Sequence, residues 1–512
     1  MPEGKKEIDT LPLSGNNVIA EKKPGPADGT AEETGGVSAA ADTRRCFGGM
    51  EDFMEKVYAT GLHNPFLPLN IYIPDGEPKV FGERVYLYGS KDVFGGEYCC
   101  HKYHVYSADV NDLQHWTDHG PALASTDEYV QEGIGDGVPW SDGLLWAPDV
   151  VERDGWYYLY FCLSDGTEGV AKSRRPYGPF TDARQIMMNG EPISGIDPSV
   201  LQDGGDYYYT WGQGSCHMAK LKDDMYTLDE ATYAEALISH EDGMQGFHEG
   251  SSLRKIGDHY CLIYASEYTE AYPKRGGAPT KLDYAVSREI YGPYEYRGTI
   301  IDNTGVDPST WNNHGSVIKI KDQWYVFYHG SSGNRKYNRR ARVERIEVDE
   351  KNAVIRQAQM TSTGFGEALD PEETLDAAYG CQVLGGACFT EKNGGYPMVD
   401  IVSGCSVAFR HFAYGKEAGD WKITLSMLPF QKGKVVVLAD GEKKGEIFFA
   451  PGQTEAAAAA DGGENGAQDG FLQTEGLLCG LSGKKELVLK FESEQEGKLA
   501  ELYRIHQQPV KR

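Results

Sequence analysis

The chain of 512 residues is too long for one ordinary hydrophobic core, so we expect two or three domains. Its formal net charge of −27 at pH 7 would repel phosphate backbones and anionic lipid surfaces, which argues against nucleic acid and membranes as partners. With 63 glycines, 32 tyrosines and no apolar window of about 18 residues, the sequence predicts a β-rich chain with many turns and no membrane span.

The first 60 residues are rich in Gly, Ala, Pro and charged side chains, which is typical of a flexible tail. They contain no apolar run that could form the core of a signal peptide, so we predict a cytoplasmic location if Met1 is the natural start. The ten cysteines include the adjacent Cys99 and Cys100 but show no CxxC spacing. We therefore predict reduced, mostly buried thiols and no zinc site.

One sequence pattern then occurs five times, at intervals of about 50 to 70 residues. Each copy begins with a small polar or acidic turn, runs through an apolar strand and a Gly/Asp turn, and ends in an aromatic strand. This order is the signature of a β-hairpin. The copies are "DGEPKVFGERVYLYGSKD" from Asp75, "APDVVERDGWYYLYFC" from Ala147, "DPSVLQDGGDYYYTWG" from Asp197, "EGSSLRKIGDHYCLIYAS" from Glu249 and "HGSVIKIKDQWYVFYHG" from His314.

A second strand pair lies between successive copies, as in "GVAKSRRPYGPFTDA". Four strands per period make one blade of a β-propeller, so the five periods predict an all-β, five-bladed β-propeller over residues 61–362. Closing the ring points the start of every first strand at one central depression. Asp75, Asp197, Glu249 and His314 all stand at such starts.

From residue 370 the pattern changes to short strands of alternating hydrophobicity, such as "WKITLSMLPF" and "KVVVLADG". This alternation predicts a separate β-sandwich over residues 370–508. The stretch "TEAAAAADGGENGAQDG" is predicted to be an enlarged surface loop of that domain.

The five ordered motifs resemble those of glycoside hydrolase family 43, the family of α-L-arabinofuranosidases and β-xylosidases. The resemblance covers roughly residues 64–346. The stretches that carry it are "NPFLPLNIYIPDGEPKVFGERVYLYGSKD", "WAPDVVERDGWYYLYF", "GIDPSVLQDGGDYYY", "FHEGSSLRKIGDHYCLIY" and "WNNHGSVIKIKDQWYVFYH".

By this resemblance, Asp75 matches the general base and Glu249 the general acid of the family. Asp197 matches the aspartate that orients the acid and raises its pKa. The usual first motif has Asp immediately before Pro, whereas here Asp75 is separated from Pro78. Glu77 therefore stays open as an alternative base.

The resemblance also implies residues around the three acids. His314 matches a histidine near the propeller axis that often holds a calcium ion, directly or through water, although the chemistry itself needs no cofactor. Arg339 matches an arginine that reaches toward the sugar, and Trp146 and Phe247 are expected to form the pocket wall. A core role for His314 and a solvated position for Arg339 remain open alternatives.

Inverting glycoside hydrolysis needs a carboxylic acid and a carboxylate about 6.5–9.5 Å apart, and blades one and four face each other across a ring of five. We therefore predict an inverting exo-glycosidase that releases α-L-arabinofuranosyl or β-D-xylosyl ends from plant-derived oligosaccharides. The alternative is a sugar-binding or scaffold propeller that does not hydrolyse. Whether the enzyme prefers arabinose or xylose, and whether it cleaves at chain ends or internally, depends on loops such as "EYTEAYPKRGGAPT".

The C-terminal region resembles a family 6 carbohydrate-binding module. Its stretch "FLQTEGLLCG" lacks the tryptophan that would form a stacking surface for a sugar ring. Two roles therefore stay open for the sandwich, sugar binding or mechanical support of the propeller.

Overall fold

The computed structural model describes residues 55–96, 98–126, 134, 136–239, 246–266, 281–303, 313–331, 338–452 and 471–511. Within these ranges the secondary structure is β-strand apart from one 3-10 turn, Ala377–Tyr379. Residues 1–54 of the predicted tail, the loop "EYTEAYPKRGGAPT" and the loop "TEAAAAADGGENGAQDG" lie outside the described residues.

Five antiparallel sheets follow one another along the chain, and they are the predicted blades. Blade one has five strands, blades two to four have four each, and blade five has three described strands. The strands are β1 (Lys56–Tyr58), β2 (Glu77–Phe81), β3 (Arg84–Tyr88), β4 (Lys102–Asp109) and β5 (Asp112–Ala124) in blade one; β6 (Leu145–Arg153), β7 (Trp156–Leu163), β8 (Glu168–Ser173) and β9 (Thr181–Gln185) in blade two; a short ribbon of β10 (Met187–Met188) and β11 (Glu191–Pro192); β12 (Ser199–Asp203), β13 (Asp206–Trp211), β14 (His217–Leu221) and β15 (Leu228–Ala234) in blade three; β16 (Phe247–Ile256), β17 (His259–Ser266), β18 (Lys281–Ser287) and β19 (Glu295–Asp302) in blade four; β20 (Ser316–Ile320), β21 (Gln323–Gly330) and β22 (Arg340–Ile346) in blade five; and a ribbon of β23 (Val348–Asp349) and β24 (Val354–Ile355).

The sheets close into a ring because a hydrophobic cluster fills each of the five interfaces between neighbouring blades. A twisted sheet exposes two apolar faces, and only a ring buries both of them in every blade. The first strands β2, β6, β12 and β16 neighbour one another, and β2 also lies against β20. Each cluster contains residues of two neighbouring blades, for example Tyr88 and Phe161, Tyr160 and Tyr209, Met218 and Leu262, Ile263 and Val326, and Phe327 and Val85. The five-bladed β-propeller predicted from the repeats is confirmed.

Tight turns fix the register of the repeated hairpins. In blade three, Gly204 and Gly205 both have positive φ, at 60° and 91°, and they join Asp203 directly to its cross-strand partner Asp206. In blade two the same place is taken by Asp154 and Gly155, at 53° and 74°. Two residues of positive φ suit the right-handed twist of the flanking strands, so these Gly/Asp turns hold the start of each first strand opposite the end of its aromatic partner.

Strand β1 is a difference from the sequence-based expectation. Lys56–Tyr58 falls within the stretch predicted as tail, yet it pairs antiparallel with β5, placing Tyr58 opposite Trp116. A three-residue edge strand carries too few residues for its alternation to be recognised in a sequence.

The C-terminal region forms two packed sheets that share one hydrophobic core, which is the predicted β-sandwich. One sheet has the strand order β27-β28-β35-β30-β33 with β25 beside β35, and the other has the order β26-β29-β34-β31-β32. The strands are β25 (Leu375–Asp376), β26 (Gln382–Leu384), β27 (Cys388–Phe389), β28 (Met398–Ile401), β29 (Ser406–Ala413), β30 (Gly419–Pro429), β31 (Gly433–Ala439), β32 (Glu442–Phe449), β33 (Leu472–Leu481), β34 (Lys484–Glu492) and β35 (Ala500–Pro509).

The sandwich packs directly onto the propeller. Cys381 and Ala408 of the sandwich belong to the same hydrophobic cluster as the strands of blades four and five. The Ser362 amide of the connecting segment donates a hydrogen bond of 2.7 Å to the Arg410 carbonyl. These contacts support a buttressing role for the sandwich; sugar binding there stays a prediction.

The nine cysteines in the described part of the chain are free thiols, and seven of them are buried. Among the described residues there is no helix of the length and hydrophobicity needed to cross a bilayer.

Candidate active site

The starts of the five first strands surround a cavity of about 160 Å³ at one end of the propeller axis. Six of the seven predicted site residues line it, drawn from all five blades, and the seventh, Phe247, does not. The lining residues are Asp75, Tyr98, Cys99, Trp146, Ile196, Asp197, Gln213, Glu249, His314 and Arg339.

The backbone is in the left-handed region at the blade starts that face this cavity. Asp75 has φ 58°, Asp197 has φ 56°, and Gly250, directly after Glu249, has φ 69°. Aspartate tolerates this conformation better than most residues, and strained backbone of this kind is frequent at functional sites. At Gly250 a Cβ atom would lie 2.9 Å from Cγ of His314, so glycine is also required for the close approach of that ring.

Asp75 is held by a cation and a hydroxyl. Arg339 Nη1 lies 3.0 Å from Asp75 Oδ1, and the Ser90 hydroxyl donates to Oδ2 at 2.7 Å. Burial alone would raise the pKa of Asp75, but the charge of Arg339, assisted by His314 and His329, lowers it below its ordinary value. Asp75 is therefore ionised at neutral pH, as a general base must be.

Arg339 is itself fixed by Asp92, the last residue of the first motif, for which no role was predicted. Nε and Nη2 of Arg339 each lie 3.0 Å from a different carboxylate oxygen of Asp92. The ring of Tyr98 lies against the guanidinium at 4.9 Å. A bidentate pair restricts the orientation of the guanidinium, so Asp92 aims the remaining nitrogen, Nη1, at Asp75.

Asp197 lies at the centre of the carboxyl cluster. Its Oδ2 accepts the Gly250 amide at 3.0 Å and lies 3.7 Å from His314 Nδ1, the same nitrogen that lies 3.7 Å from Asp75 Oδ1. Burial, aided by repulsion from Glu249 and Asp75, raises the pKa of Asp197 to about 7 against the opposing effect of His314. The predicted repulsion between Asp197 and Glu249 therefore contributes to the raised pKa of Asp197. Its effect on Glu249 stays a prediction.

We expect the Asp197→Asn variant to be more thermostable than the native protein above pH 7. The folded protein binds this proton more tightly than the unfolded chain, where the pKa is near 3.8, so stability is lost as the pH rises from about 4 to about 7. Asparagine keeps an acceptor for Gly250 but carries no charge. Thermal unfolding across this pH range should show a Tm advantage of several degrees that disappears below pH 4. A lower Tm for the variant above pH 7 would contradict this.

Glu249 is displaced from regular strand geometry. The register of β16 against β17 shifts on both sides of Glu249. Such β-bulges redirect side chains next to active sites. Glu249 Oε2 accepts the side-chain amide of Gln213 at 2.8 Å and lies 3.4 Å from His248 Nε2.

His314 connects the acids at the axis. Burial would lower the pKa of His314, but the surrounding carboxylates of Asp197, Asp75, Glu77 and Glu249 outweigh burial and raise it. An imidazole that favours the protonated form stabilises the neighbouring carboxylates as anions.

A second layer of charges lies behind the cavity, two to five residues further along the first strands. Glu77 forms an ion pair with Arg254, and Asp149 Oδ1 pairs with Lys79 Nζ at 2.7 Å. Glu77 is 2% exposed and is not part of the cavity lining. Of the two candidate bases, only Asp75 faces the cavity.

A calcium ion at this axis would need about six to eight oxygen ligands. Asp75 and Asp197 each have an oxygen 3.7 Å from His314 Nδ1, and Asp75 already has a cationic partner in Arg339, as Glu77 behind them has in Arg254. Among the described residues, no group of three or more His, Cys, Asp or Glu side chains is arranged to hold a metal ion. The residues around His314 therefore do not fit the calcium ion that the resemblance implied.

The two predicted aromatic wall residues differ in position. Trp146 lines the cavity, and its buried Nε1 has no hydrogen-bond partner among the described residues. Phe247 is wholly buried in the hydrophobic cluster of blades three and four, where its ring lies 5.8 Å from that of Tyr264. The expectation for Phe247 was wrong because the bulge between Phe247 and Glu249 turns the two side chains to different surroundings.

Comparisons with known proteins find relatives of this chain. The family model described as glycosyl hydrolases family 43 matches residues 63–354. A xylosidase/arabinosidase of Thermoclostridium stercorarium is 31% identical over 374 residues, which cover 65% of this chain and 75% of the relative. A xylosidase/arabinosidase of Bacteroides ovatus is 27% identical over 336 residues, covering 56% and 94%.

One solved structure with a similar fold is a family 43 β-xylosidase/α-arabinofuranosidase from a compost microbial metagenome, in complex with xylotriose and in a calcium-free form. It is 26% identical, with a TM-score of 0.46, and the match covers 60% of this chain and 98% of that one.

Proposed function

Because this chain belongs to glycosyl hydrolase family 43, and is therefore a glycoside hydrolase, we propose that it removes single α-L-arabinofuranosyl or β-D-xylosyl units from the ends of plant-derived oligosaccharides with inversion. The observation that carries the proposal is that one cavity is lined by Asp75, Asp197 and Glu249. The names of the relatives, xylosidase/arabinosidase, support the choice of sugars. The comparisons give no support to the alternative of a propeller without hydrolysis.

The size of the cavity supports exo action. Its volume of about 160 Å³ is below the roughly 300–1,000 Å³ of pockets that enclose drug-sized ligands. A cavity of this size suits one sugar unit better than several. The bond to be cleaved would then lie beside Glu249, whose carboxyl group accepts a hydrogen bond from the exposed Gln213.

The ionised state of Asp75 and the presence of three acids in one cavity support an inverting mechanism. Asp75, ionised by Arg339, takes a proton from a water molecule as that water attacks the anomeric carbon. Glu249 gives its proton to the glycosidic oxygen as the bond between that oxygen and the anomeric carbon breaks. Asp197 interacts electrostatically with both acids, and in its ionised form, which prevails above its pKa of about 7, it opposes early loss of the Glu249 proton. Carboxyls and water supply the whole reaction, so no cofactor is required.

Two further groups would bind the sugar. The buried, unpartnered Nε1 of Trp146 is a donor for a sugar hydroxyl, since a buried polar atom without a partner costs free energy that a ligand can recover. Arg339 lies beside the base and supplies fixed positive charge at the same wall.

Hydrolysis of an aryl α-L-arabinofuranoside, an aryl β-D-xyloside and the corresponding oligosaccharides tests this function. We expect turnover of at least one sugar series, with the monosaccharide as the only early product. Longer early products would contradict exo action, and inactivity on every substrate would contradict the proposal as a whole.

We expect calcium to have no effect on this protein. Lys79 and Arg254 already neutralise the carboxylates of Asp149 and Glu77 behind His314, and no group of three or more His, Cys, Asp or Glu side chains in the described part of the chain is arranged to hold the ion. Activity and Tm should be the same after treatment with a chelator and after addition of excess calcium. A rise in Tm of several degrees with calcium would show that the axis binds the ion.

A further inference from the structure

The turn Gly212-Gln213-Gly214 between β13 and β14 is tied to the residues that precede two of the catalytic acids. The amide of Gly212 donates to the carbonyl of Ile196 at 2.8 Å, and the amide of Gly214 donates to the carbonyl of His248 at 2.7 Å. Ile196 directly precedes Asp197, and His248 directly precedes Glu249. The turn therefore links the backbone of blade three to that of blade four at the cavity.

The two glycines allow this connection. Gly212 has φ 123°, and a Cβ atom there would lie 2.3 Å from the Ser215 carbonyl oxygen; Gly214 has φ 74°. Gln213 itself is exposed at the cavity mouth, so its position is set by the hydrogen bonds of its neighbours and not by burial. An exposed glutamine held in this way can be replaced without removing a core side chain.

The side chain of Gln213 points its amide at the general acid. Nε2 of Gln213 lies 2.8 Å from Oε2 of Glu249. As Glu249 gives up its proton, negative charge develops on its carboxyl group. A donor already aimed at that oxygen stabilises the transition state without any reorganisation.

We propose that Gln213 is a positioning residue for Glu249, which fixes the orientation of this carboxyl group and stabilises the charge that develops on it when the proton is transferred to the leaving group. This inference rests on the proposed function. It goes further by assigning part of the acid catalysis to a residue outside the three acids. It also makes a distinctive prediction, because only substrates whose leaving group needs protonation should depend on Gln213.

The test compares the Gln213→Ala variant with the native protein on two substrates of the same sugar. On an oligosaccharide, whose leaving group is a poor one, kcat/KM should fall by about 100-fold, the effect typical of losing one aimed donor. On a dinitrophenyl glycoside, whose leaving group departs without protonation, kcat/KM should stay within about threefold. Gln213→Glu keeps the length of the side chain but replaces the donor with an oxygen, so it should lose at least as much on the oligosaccharide.

Gln202→Ala, which removes another exposed glutamine of blade three, is the matched control and should match the native protein on both substrates. Equal losses on both substrates, or oligosaccharide activity retained in Gln213→Glu, would overturn the inference while leaving the proposed function intact. A native protein inactive on both substrates would overturn the proposed function, and the inference with it. The substrate difference separates this role from a structural one, since misfolding lowers both rates.

Discussion

Replacing Asp75 with Asn is expected to lower kcat by about 10³-fold on every substrate, with KM little changed. Asparagine keeps the shape of the side chain and can still contact Ser90 and Arg339, but it cannot accept a proton from water. Because water is activated whatever the leaving group is, the loss should be the same for an oligosaccharide and for a dinitrophenyl glycoside. Steady-state kinetics on both substrates measures this directly.

The Glu77→Gln variant tests the alternative general base, because the sequence alone does not decide between Asp75 and Glu77. Its carboxylate pairs with Arg254 behind the cavity, and breaking one half of a buried ion pair typically costs about 3–5 kcal/mol. We therefore expect a clear drop in Tm with a smaller loss of kcat in the fraction that remains folded. A variant of full stability that has lost activity as completely as Asp75→Asn would show that Glu77 is the base.

Replacing Glu249 with Gln is expected to lower kcat/KM by about 10³-fold on oligosaccharides and far less on a dinitrophenyl glycoside. Glutamine cannot donate a proton of carboxylic acid strength, and only a poor leaving group needs that proton. Parallel assays on the two substrates measure the difference. Glu83→Gln, an exposed glutamate at the hairpin turn of blade one, serves as the control and should leave both rates unchanged. An equal loss on both substrates would contradict the assignment of Glu249 as the acid.

The propeller could be predicted from the sequence because each hairpin carries its own signal. Apolar strands, Gly/Asp turns and aromatic strands recur in a fixed order, and the turns adopt the positive φ values that those residues favour. Features without such a repeat were not visible. Strand β1 has three residues, and the fourth strand expected in blade five has no counterpart among the described residues.

Only part of the site could be predicted from the sequence, and the geometry of a β-hairpin explains why. In an antiparallel pair, the start of the first strand and the end of the second strand share one edge of the sheet. The repeated motifs mark the starts by their polar residues, Asp75, Asp197, Glu249 and His314. They do not mark the ends, although Asp92 follows β3 and Gln213 follows β13 at the same edge. The signal that could have found them is a polar residue two to four positions after each aromatic strand.

Phe247 was mispredicted for a different reason. Phe247 was expected at the pocket wall because it sits beside the motif that begins at Glu249, and on a regular strand residues two apart share one face. The bulge between them breaks that alternation. A bulge depends on how two strands pair, and the sequence of one strand does not contain that information.

The anomeric configuration of the first product is the most direct test of the mechanism. In that mechanism Asp75 activates water on one face of the sugar, and Glu249 supplies a proton to the leaving oxygen on the opposite face. Proton NMR during the first minutes of hydrolysis, before mutarotation, distinguishes the two anomers. Attack by water from the face opposite the leaving group predicts that the released sugar initially has the configuration opposite to that of the substrate. A first product with the configuration retained would require a covalent intermediate on one carboxylate and would contradict the roles assigned to these acids.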